Sequence, residues 1–200
     1  MIEIFDFEQG SPEWFQARLG IPTASEFDKV LASGRGGGES KGRRTYMLKL
    51  IGERLTGEPA DSYTNAHMER GKAMEDEARS AYVFAQEAEV RKVGFIRNGN
   101  KGCSPDSLRD TVGMVEIKTK LPHLQIEVLL GKVMPPEHMA QVQGQMWVAE
   151  RQWCDFVSYW PRLPLFVQRI YRDETYIKKL SDAVDIFVNE MESLQKKISS

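Results

Sequence analysis

Three charged residues in the middle of the chain could together form a hydrolytic metal site. Asp106 is separated by nine residues from the segment Glu116-Ile117-Lys118. Side chains alternate along a strand, so Glu116 and Lys118 share one face while Ile117 points into the core. A hairpin through the turn SLRDT would bring Asp106 beside Glu116. Because adjacent carboxylates repel each other, this pair predicts a bound cation, and hard oxygen ligands favour Mg²⁺, with Mn²⁺ as a substitute.

Other polar residues could complete such a site. Lys118 faces it and could orient a water molecule for attack on phosphorus, or stabilise the charge that develops. Glu75, in a predicted helix, is a candidate third carboxylate. Gln141 and Gln145 share one face of a later helix and could bind phosphate or sugar. Each feature has an ordinary alternative, namely a solvated hairpin, a solvated helix face and a polar outer helix face.

The composition places these residues in a folded domain. The chain has 200 residues, 41% hydrophobic and 28% charged, which argues against a disordered chain, a collagen-like fibre and a disulfide scaffold. One domain over residues 1–200 is expected. The first residues lack a secretory signal pattern, and no apolar run approaches the ~18 residues of a membrane span. We therefore expect a cytoplasmic protein with reduced thiols at Cys103 and Cys154, although a bridge between them stays open.

The charge is distributed unevenly along the chain. The net charge is only −2, but residues 34–49 hold five basic side chains against Glu39 alone. A local basic patch on a near-neutral protein suits an enzyme that must hold DNA and release it. The alternative is a normal mixed surface. On the first reading, the residues that contact DNA are Arg35, Lys41, Arg43 and Arg44.

The pattern of the whole chain predicts mixed α/β structure. Ser11-Pro12-Glu13 is typical of a helix start, residues 23–26 (Thr-Ala-Ser-Glu) form a capping-box pattern, and the glycine-rich segment 33–44 predicts a mobile loop. Further helices are predicted after this loop, over 66–86, from Pro136 to about Ala149, and after Asp173. Strands are predicted at 89–96, 102–104, 112–120, 152–160 and 165–171. These elements indicate a sheet of about five strands with helices on its faces.

Asp106, Glu116 and Lys118 together resemble the signature of the PD-(D/E)xK nuclease superfamily. Neighbouring segments resemble its phage branch, the lambda-exonuclease or alkaline-exonuclease type of viral recombinase. The likeness runs from about Glu13 to about Glu190. It is carried by ARLGIPTASEF (17–27), RGKAMEDEAR (70–79), GCSPD (102–106), VEIK (115–118) and HMAQVQGQMWV (138–148).

The resemblance implies a role for each matching residue within a restriction-endonuclease-like core. Glu75, Asp106 and Glu116 would surround the metal, with the carbonyl of Ile117 as a further ligand. Lys118 would be the catalytic lysine, and Gln141 the glutamine of the helix beside the active site. The residues that match positions holding the 5′-terminal phosphate are Arg18, Ser25 and Ser104.

The resemblance also implies an activity and an assembly. The activity is Mg²⁺-dependent 5′-to-3′ digestion of linear double-stranded DNA to mononucleotides, leaving a 3′ single-stranded tail for recombination by strand annealing. The assembly is a homotrimeric ring around DNA with the loop 33–44 facing the channel, and a monomer with a basic groove is the alternative. A phage- or prophage-encoded protein working with a single-strand annealing protein in a bacterial cell is expected.

Two departures and two rival functions remain. Ser107 follows the motif aspartate where lambda-like members have glycine, and Lys120 or His123 are candidates for a missing basic residue of the phosphate pocket. One rival is an endonuclease or junction resolvase on the same fold, which would cut a covalently closed circle. The other is a catalytically inactive DNA-binding module, against which the intact acidic and lysine residues argue.

Overall fold

The architecture is described for residues 1–60 and 66–199 of a computed structural model, including all their side chains except those of Arg35 and residues 66–72. The helices of this part are α1 (Pro12–Arg18), α2 (Phe27–Leu31), α3 (Lys41–Thr56), α4 (Ala66–Gln86), α5 (Pro122–Gly131), α6 (Met139–Val148) and α7 (Glu174–Ser199). The strands are β1 (Ile2–Phe5), β2 (Val90–Arg91), β3 (Phe95–Asn98), β4 (Lys101–Cys103), β5 (Ser107–Arg109), β6 (Gly113–Thr119), β7 (Trp153–Tyr159) and β8 (Phe166–Tyr171).

The strands form two sheets. The larger has the order β2-β5-β6-β7-β8 and is mixed, because β6 and β7 run parallel while the other neighbours are antiparallel. The smaller has the order β1-β3-β4. The predicted mixed α/β fold with a five-stranded sheet flanked by helices is confirmed, whereas the small second sheet was not predicted.

Helices cover both faces of the larger sheet. On one face, residues of α2, α3, α6 and α7 pack with Met114, Cys154 and Phe156 in the main core. On the other face, Ala78 and Tyr82 of α4 pack against the neighbouring strand residues, Val115, Ile117 and Val157. The alternation along β6 therefore turns Ile117 into the core, as predicted, and places Glu116 on the face that α6 covers.

Several local predictions were wrong in detail. The segment 89–96 is not one strand, because Gly94 lies against the backbone of Phe7, where a Cβ atom would come within 2.1 Å of the carbonyl oxygen. The chain thereby leaves β2 and joins the smaller sheet as β3. The segment SLRDT is not a simple turn either, since its first three residues form β5 and the turn follows at Asp110.

The glycine-rich segment is shorter than predicted. Helix α3 already begins at Lys41, with the Ser40 hydroxyl accepting a hydrogen bond from the Arg43 amide. The preceding loop closes on itself, because Ser33 pairs with Glu39 and the amide of Gly34 donates to the Gly38 carbonyl at 2.7 Å. Lys41, Arg43 and Arg44 are thus carried by the first turn of a helix.

The structure bears on the two cysteines and on the expectation about membrane spans. Cys103 and Cys154 are free thiols, both buried. Burial is the main cause that raises the pKa of each thiol. None of the helices in the described ranges combines the length and apolarity needed to cross a bilayer.

Candidate active site

The β5–β6 hairpin brings the two motif carboxylates together. Ser107 pairs with Val115 in this antiparallel hairpin. One residue further from the turn on each strand, Asp106 therefore lies opposite Glu116. Asp106 also accepts a hydrogen bond from the backbone amide of Ile117. Both carboxylates are buried, with 9% of Asp106 and 2% of Glu116 exposed. The hairpin predicted from the motif spacing is therefore present.

Three donors hold the Glu116 carboxylate. Lys118, two residues along the same strand face, places its Nζ 2.7 Å from Oε1. The side-chain amides of Gln141 and Gln145, one turn apart on α6, donate to Oε1 at 2.6 Å and to Oε2 at 2.7 Å. The glutamine stripe thus faces the site rather than solvent, and both oxygens of Glu116 are oriented from outside the hairpin.

The electrostatics of this group follow from burial and mutual repulsion. Burial raises the pKa of Asp106 well above its usual range, and the negative charges of Glu116 and Glu75 raise it further. Burial opposes the charge on Lys118, but the carboxylates of Glu116 and Asp106 outweigh burial and raise the pKa of this lysine. The site therefore carries closely spaced negative charge that one lysine compensates only in part.

The donor set fits a divalent cation held mainly by Asp106 and Glu116. Their carboxylates are hard oxygen ligands, the type that Mg²⁺ and Mn²⁺ bind together with retained water molecules. Nearby, the carbonyl oxygen of the Gln145 side chain is buried without a hydrogen-bond donor in the described part of the chain, so it offers an acceptor for such a water. Ile117, the predicted backbone ligand, lines a cleft together with Asp106 and Glu116.

Glu75 does not close a three-carboxylate cluster. Within the described residues, no three His, Cys, Asp or Glu side chains converge at metal-ligand spacing. Glu75 lines the same cleft as Asp106, but its carboxylate is paired with Arg79 on the same helix. Glu75, the predicted third ligand, therefore lies near Asp106 and Glu116 but forms an ion pair with the Arg79 guanidinium.

The predicted phosphate-binding residues form a linked group beside the carboxylates. Arg18 donates from Nη1 to the Ser104 hydroxyl and from Nη2 to the Thr23 hydroxyl, both at 3.2 Å. Thr23 Oγ1 lies 3.3 Å from the Ser25 hydroxyl. The capping box predicted at residues 23–26 is not formed, because the Thr23 side chain makes no cap hydrogen bond and turns to Arg18 instead.

Trp14 contacts both Arg18 and Ser104 of this phosphate-binding group, and it was not predicted from the sequence. The Arg18 guanidinium lies 4.0 Å from the centre of its ring, a cation–π contact. The indole Nε1 donates to the hydroxyl of Ser104 at 3.0 Å. Trp14 precedes Arg18 by four residues on α1, which is the spacing of side chains that share a helix face and is the signal that could have found it.

The Arg18 guanidinium has donors to spare for an anion. No carboxylate of the described residues forms an ion pair with it, and its polar contacts are the two hydroxyls. Burial lowers the pKa of Arg18, which means that its charge is poorly solvated. A terminal phosphate, which a guanidinium can bind with two parallel hydrogen bonds, would supply the missing counter-charge.

One small cavity joins the two groups. It has a volume of about 220 Å³ and is lined by residues of the phosphate group and of the carboxylate group, namely Arg18, Ser25, Ser104, Asp106, Glu116, Lys118, Gln141 and Gln145. It adjoins a larger cleft of about 1140 Å³ whose lining also includes Glu75, Lys49 and Lys120. An anion on Arg18 and a metal on the carboxylates would therefore lie in the same cavity.

Of the basic residues in segment 34–49, Lys49 lines this cleft, whereas Lys41, Arg43 and Arg44, which were predicted to contact DNA, do not. Arg43 forms an ion pair with Glu190 of α7 at 2.7 Å and lies over the ring of Phe187, so it joins two helices. Lys41 and Arg44 do not line the cleft, and the side chain of Arg35 lies outside the described part of the chain.

Lys120 is better placed than His123 as an additional basic group. It lines the cleft, with Nζ 2.9 Å from Nε2 of His138. Burial, together with the charges of Lys120 and Lys118, lowers the pKa of His138 to about 4, so this ring is neutral at ordinary pH and accepts from the lysine. His123 is exposed near the start of α5 and does not line the cleft.

Comparison with solved structures gives close relatives. The alkaline exonuclease LHK-Exo from Laribacter hongkongensis is 36% identical, with a TM-score of 0.85 over 94% of this chain and 96% of its own. LHK-Exo in complex with dAMP gives 37% identity and a TM-score of 0.86 over the same shares. A phage-related exonuclease from Haemophilus somnus 129PT is 14% identical, with a TM-score of 0.68 over 89% of this chain and 96% of its own, and shares the fold.

The sequence itself matches a known family. The profile of the YqaJ-like viral recombinase domain covers residues 13–152, which include every element of the candidate site. No curated protein gives a significant match. With the family profile over most of the chain and a 36% identical exonuclease over 94% of it, the chain belongs to the YqaJ-like viral recombinase domain family and is a nuclease.

Proposed function

We propose that this nuclease is a Mg²⁺-dependent 5′-to-3′ exonuclease that digests linear double-stranded DNA to mononucleotides and leaves a 3′ single-stranded tail. The observation that carries the proposal is that Arg18 and the two carboxylates line the same small cavity. A terminal phosphate bound by Arg18 would put the next phosphodiester of the same strand within reach of Asp106 and Glu116. The dAMP complex of the 36–37% identical LHK-Exo supports a mononucleotide-sized site.

The residues divide the work between binding and chemistry. Arg18, Ser104 and Ser25 hold the terminal phosphate and so set which phosphodiester is cut. Bound Mg²⁺ would polarise that phosphodiester and provide an activated water. Lys118 stabilises negative charge that develops on the phosphate oxygens. Gln141 and Gln145 keep the Glu116 carboxylate in one orientation.

The bond that breaks accounts for repeated digestion. Water attacks the phosphorus between the first and second nucleotides, and the 3′ oxygen of the first nucleotide leaves and takes up a proton. The first nucleotide departs with its 5′ phosphate, while the attacked phosphate stays on the DNA as a new 5′-terminal phosphate. Each cut therefore regenerates the group that Arg18 binds.

Arg18→Ala is expected to remove most of the preference for phosphorylated 5′ ends. The reason is that no other side chain of the group offers a bidentate cationic fork for the terminal phosphate. The measurement compares initial rates on linear duplexes with 5′-phosphate and 5′-hydroxyl ends, followed from each end in Mg²⁺, for the wild type and the variant. Lys178→Ala, which removes a positive charge from an exposed position on α7, is the control and should keep the wild-type preference.

Two outcomes would contradict this assignment. Equal digestion of phosphate and hydroxyl ends by the wild type would show that the Arg18 group does not read the terminal phosphate. Cleavage of a covalently closed circle in the same assay would favour the endonuclease or junction-resolvase alternative, because a circle has no end to bind.

We also propose that the protein forms a homotrimeric ring around DNA in the cytoplasm. It would work with a single-strand annealing protein and be encoded by a phage or prophage. A compact domain of 200 residues has a radius of gyration of about 16–17 Å, so one subunit can cradle a duplex but cannot enclose it. Closed cyclic symmetry would enclose the duplex with one repeated interface, and a trapped enzyme tolerates the salt that weakens phosphate contacts.

Light scattering at micromolar concentration is expected to give three times the chain mass of 22.8 kDa. Digestion of long duplexes should then proceed without release, because enclosed DNA cannot diffuse away. The measurement pairs the scattering mass with a trap experiment, in which excess unlabelled duplex is added after digestion has started. A mass near that of one chain, together with distributive digestion, would exclude the ring and favour the monomer with a basic groove.

A further inference from the structure

Arg79 is a buried arginine that the mechanism above does not use. Its exposure is 7%. On its own helix it pairs with the carboxylates of Glu75 and Asp76. Across to the hairpin, its Nε donates to the Ser107 hydroxyl at 3.0 Å and its Nη2 to the backbone carbonyl of Asp106 at 3.3 Å. Burying a guanidinium is costly unless its hydrogen bonds are satisfied, and here all three nitrogens have partners.

These contacts tie helix α4 to the hairpin that carries the metal-site carboxylates. Glu75 belongs to α4, whereas Asp106 directly precedes β5. The chain between them is long, so their relative position depends on contacts across the interface. Ser107 completes the link, since its hydroxyl accepts from Arg79 and donates to the carbonyl of Asp106 at 2.6 Å. The serine that replaces the glycine of lambda-like members is therefore fully buried and hydrogen-bonded.

We propose that Arg79 is a positioning residue for the metal site, holding the Glu75 carboxylate at a fixed place relative to Asp106. The inference rests on the proposed metal-dependent function. One oxygen of Glu75 is hydrogen-bonded to Arg79, and Glu75 lines the same cleft as Asp106. Residues that orient metal ligands commonly contribute 10–100-fold to metal affinity or activity, roughly the range expected here.

A purely electrostatic role predicts the opposite result. Arg79 brings positive charge close to the carboxylates, and removing that charge would strengthen cation binding if charge alone mattered. A positioning role requires the planar fork, because a lysine cannot reach Glu75, Ser107 and the Asp106 carbonyl together. Arg79→Lys keeps the charge and loses the fork, whereas Arg79→Met loses both, so the two variants separate the roles.

The test measures Mn²⁺ binding to the DNA-free protein through the electron paramagnetic resonance signal of the free ion. Both Arg79→Lys and Arg79→Met are expected to weaken Mn²⁺ binding by about 10–100-fold. With DNA, kcat at fixed Mg²⁺ should fall and recover partly at higher Mg²⁺, while KM for DNA stays near the wild-type value. Ser107→Ala should give a smaller loss of the same kind, and it keeps the test available if Arg79→Met does not fold.

Arg169→Lys is the matched control. Arg169 binds Asp155 with two hydrogen bonds of 2.8 and 2.9 Å and does not line the cleft. The same substitution there should lower the thermal midpoint but leave Mn²⁺ binding and kcat unchanged. Folded Arg79 variants that bind Mn²⁺ as well as the wild type, or more tightly, would overturn the positioning role. A wild type that binds no Mn²⁺ would instead overturn the proposed function, and the inference with it.

Discussion

Asp106→Ala and Glu116→Ala are each expected to reduce the rate of DNA cleavage by at least ~10³-fold. Losses of this size are typical when an indispensable catalytic group is removed. The two carboxylates lie opposite each other across a hairpin and are both buried, so neither can be replaced by a neighbouring acid. A single carboxylate holds a strongly hydrated divalent ion poorly. The measurement is release of acid-soluble nucleotide from a linear duplex at saturating Mg²⁺.

The control must separate lost chemistry from lost folding. Asp110→Asn alters an exposed carboxylate in the turn of the same hairpin, and asparagine tolerates the positive φ of 53° found there. This variant should retain wild-type cleavage. The thermal midpoint of each alanine variant should stay close to that of the wild type or rise, because removing one carboxylate relieves repulsion between the buried pair. Substantial residual cleavage by either alanine variant would refute the site.

Lys118→Ala is expected to lower kcat by at least ~10²-fold while Mn²⁺ binding persists. The lysine contacts the Glu116 carboxylate and faces the cleft, and its raised pKa keeps it charged. Its loss removes a cation beside the reacting phosphate but no metal ligand, so Mn²⁺ affinity should stay equal or increase. The measurement pairs steady-state cleavage at saturating DNA with Mn²⁺ titration of the DNA-free protein.

Lys101→Ala provides the comparison for Lys118. Lys101 stacks on the ring of Trp147, 4.5 Å from its centre, and does not line the cleft. Its substitution should leave kcat unchanged. A Lys118→Ala variant that loses Mn²⁺ binding along with activity would show that the lysine organises the carboxylates, and a variant with nearly full kcat would remove it from the chemistry.

The parts of the site that were predictable are those set by short-range geometry. Strand alternation alone placed Glu116 and Lys118 on one face and Ile117 in the core. The nine-residue spacing allowed a hairpin in which Asp106 meets Glu116, although it did not reveal that the intervening residues include β5. The amphipathic repeat of α7 was equally local, and its residues Ile177, Leu180, Val184, Phe187 and Met191 are buried.

The parts that were not predictable depend on contacts between distant elements. Arg79 contacts Asp106 and Ser107, 27 and 28 residues away, and its spacing of four from Glu75 does not reveal those contacts. Thr23 was predicted to cap a helix with its hydroxyl. That hydroxyl instead accepts a hydrogen bond from Arg18, and the sequence pattern does not distinguish the two roles. The smaller sheet was missed because β1 pairs with β3 across more than ninety residues. Helix α5 was overlooked although Pro122 stands at its first turn, a position that proline favours.

The parallel pairing of β6 with β7 also dictates an order of assembly. Strands β5 and β6 meet across a three-residue turn, so the two carboxylates come together early in folding. The helix that carries Gln141 and Gln145 lies in the crossover of residues 120–152, which must close before β7 can dock. Contacts that close long loops form late, because their entropy must be overcome first. We therefore expect a newly made chain to acquire its acidic pair before the amides that orient Glu116, and to cut DNA only once the crossover is complete.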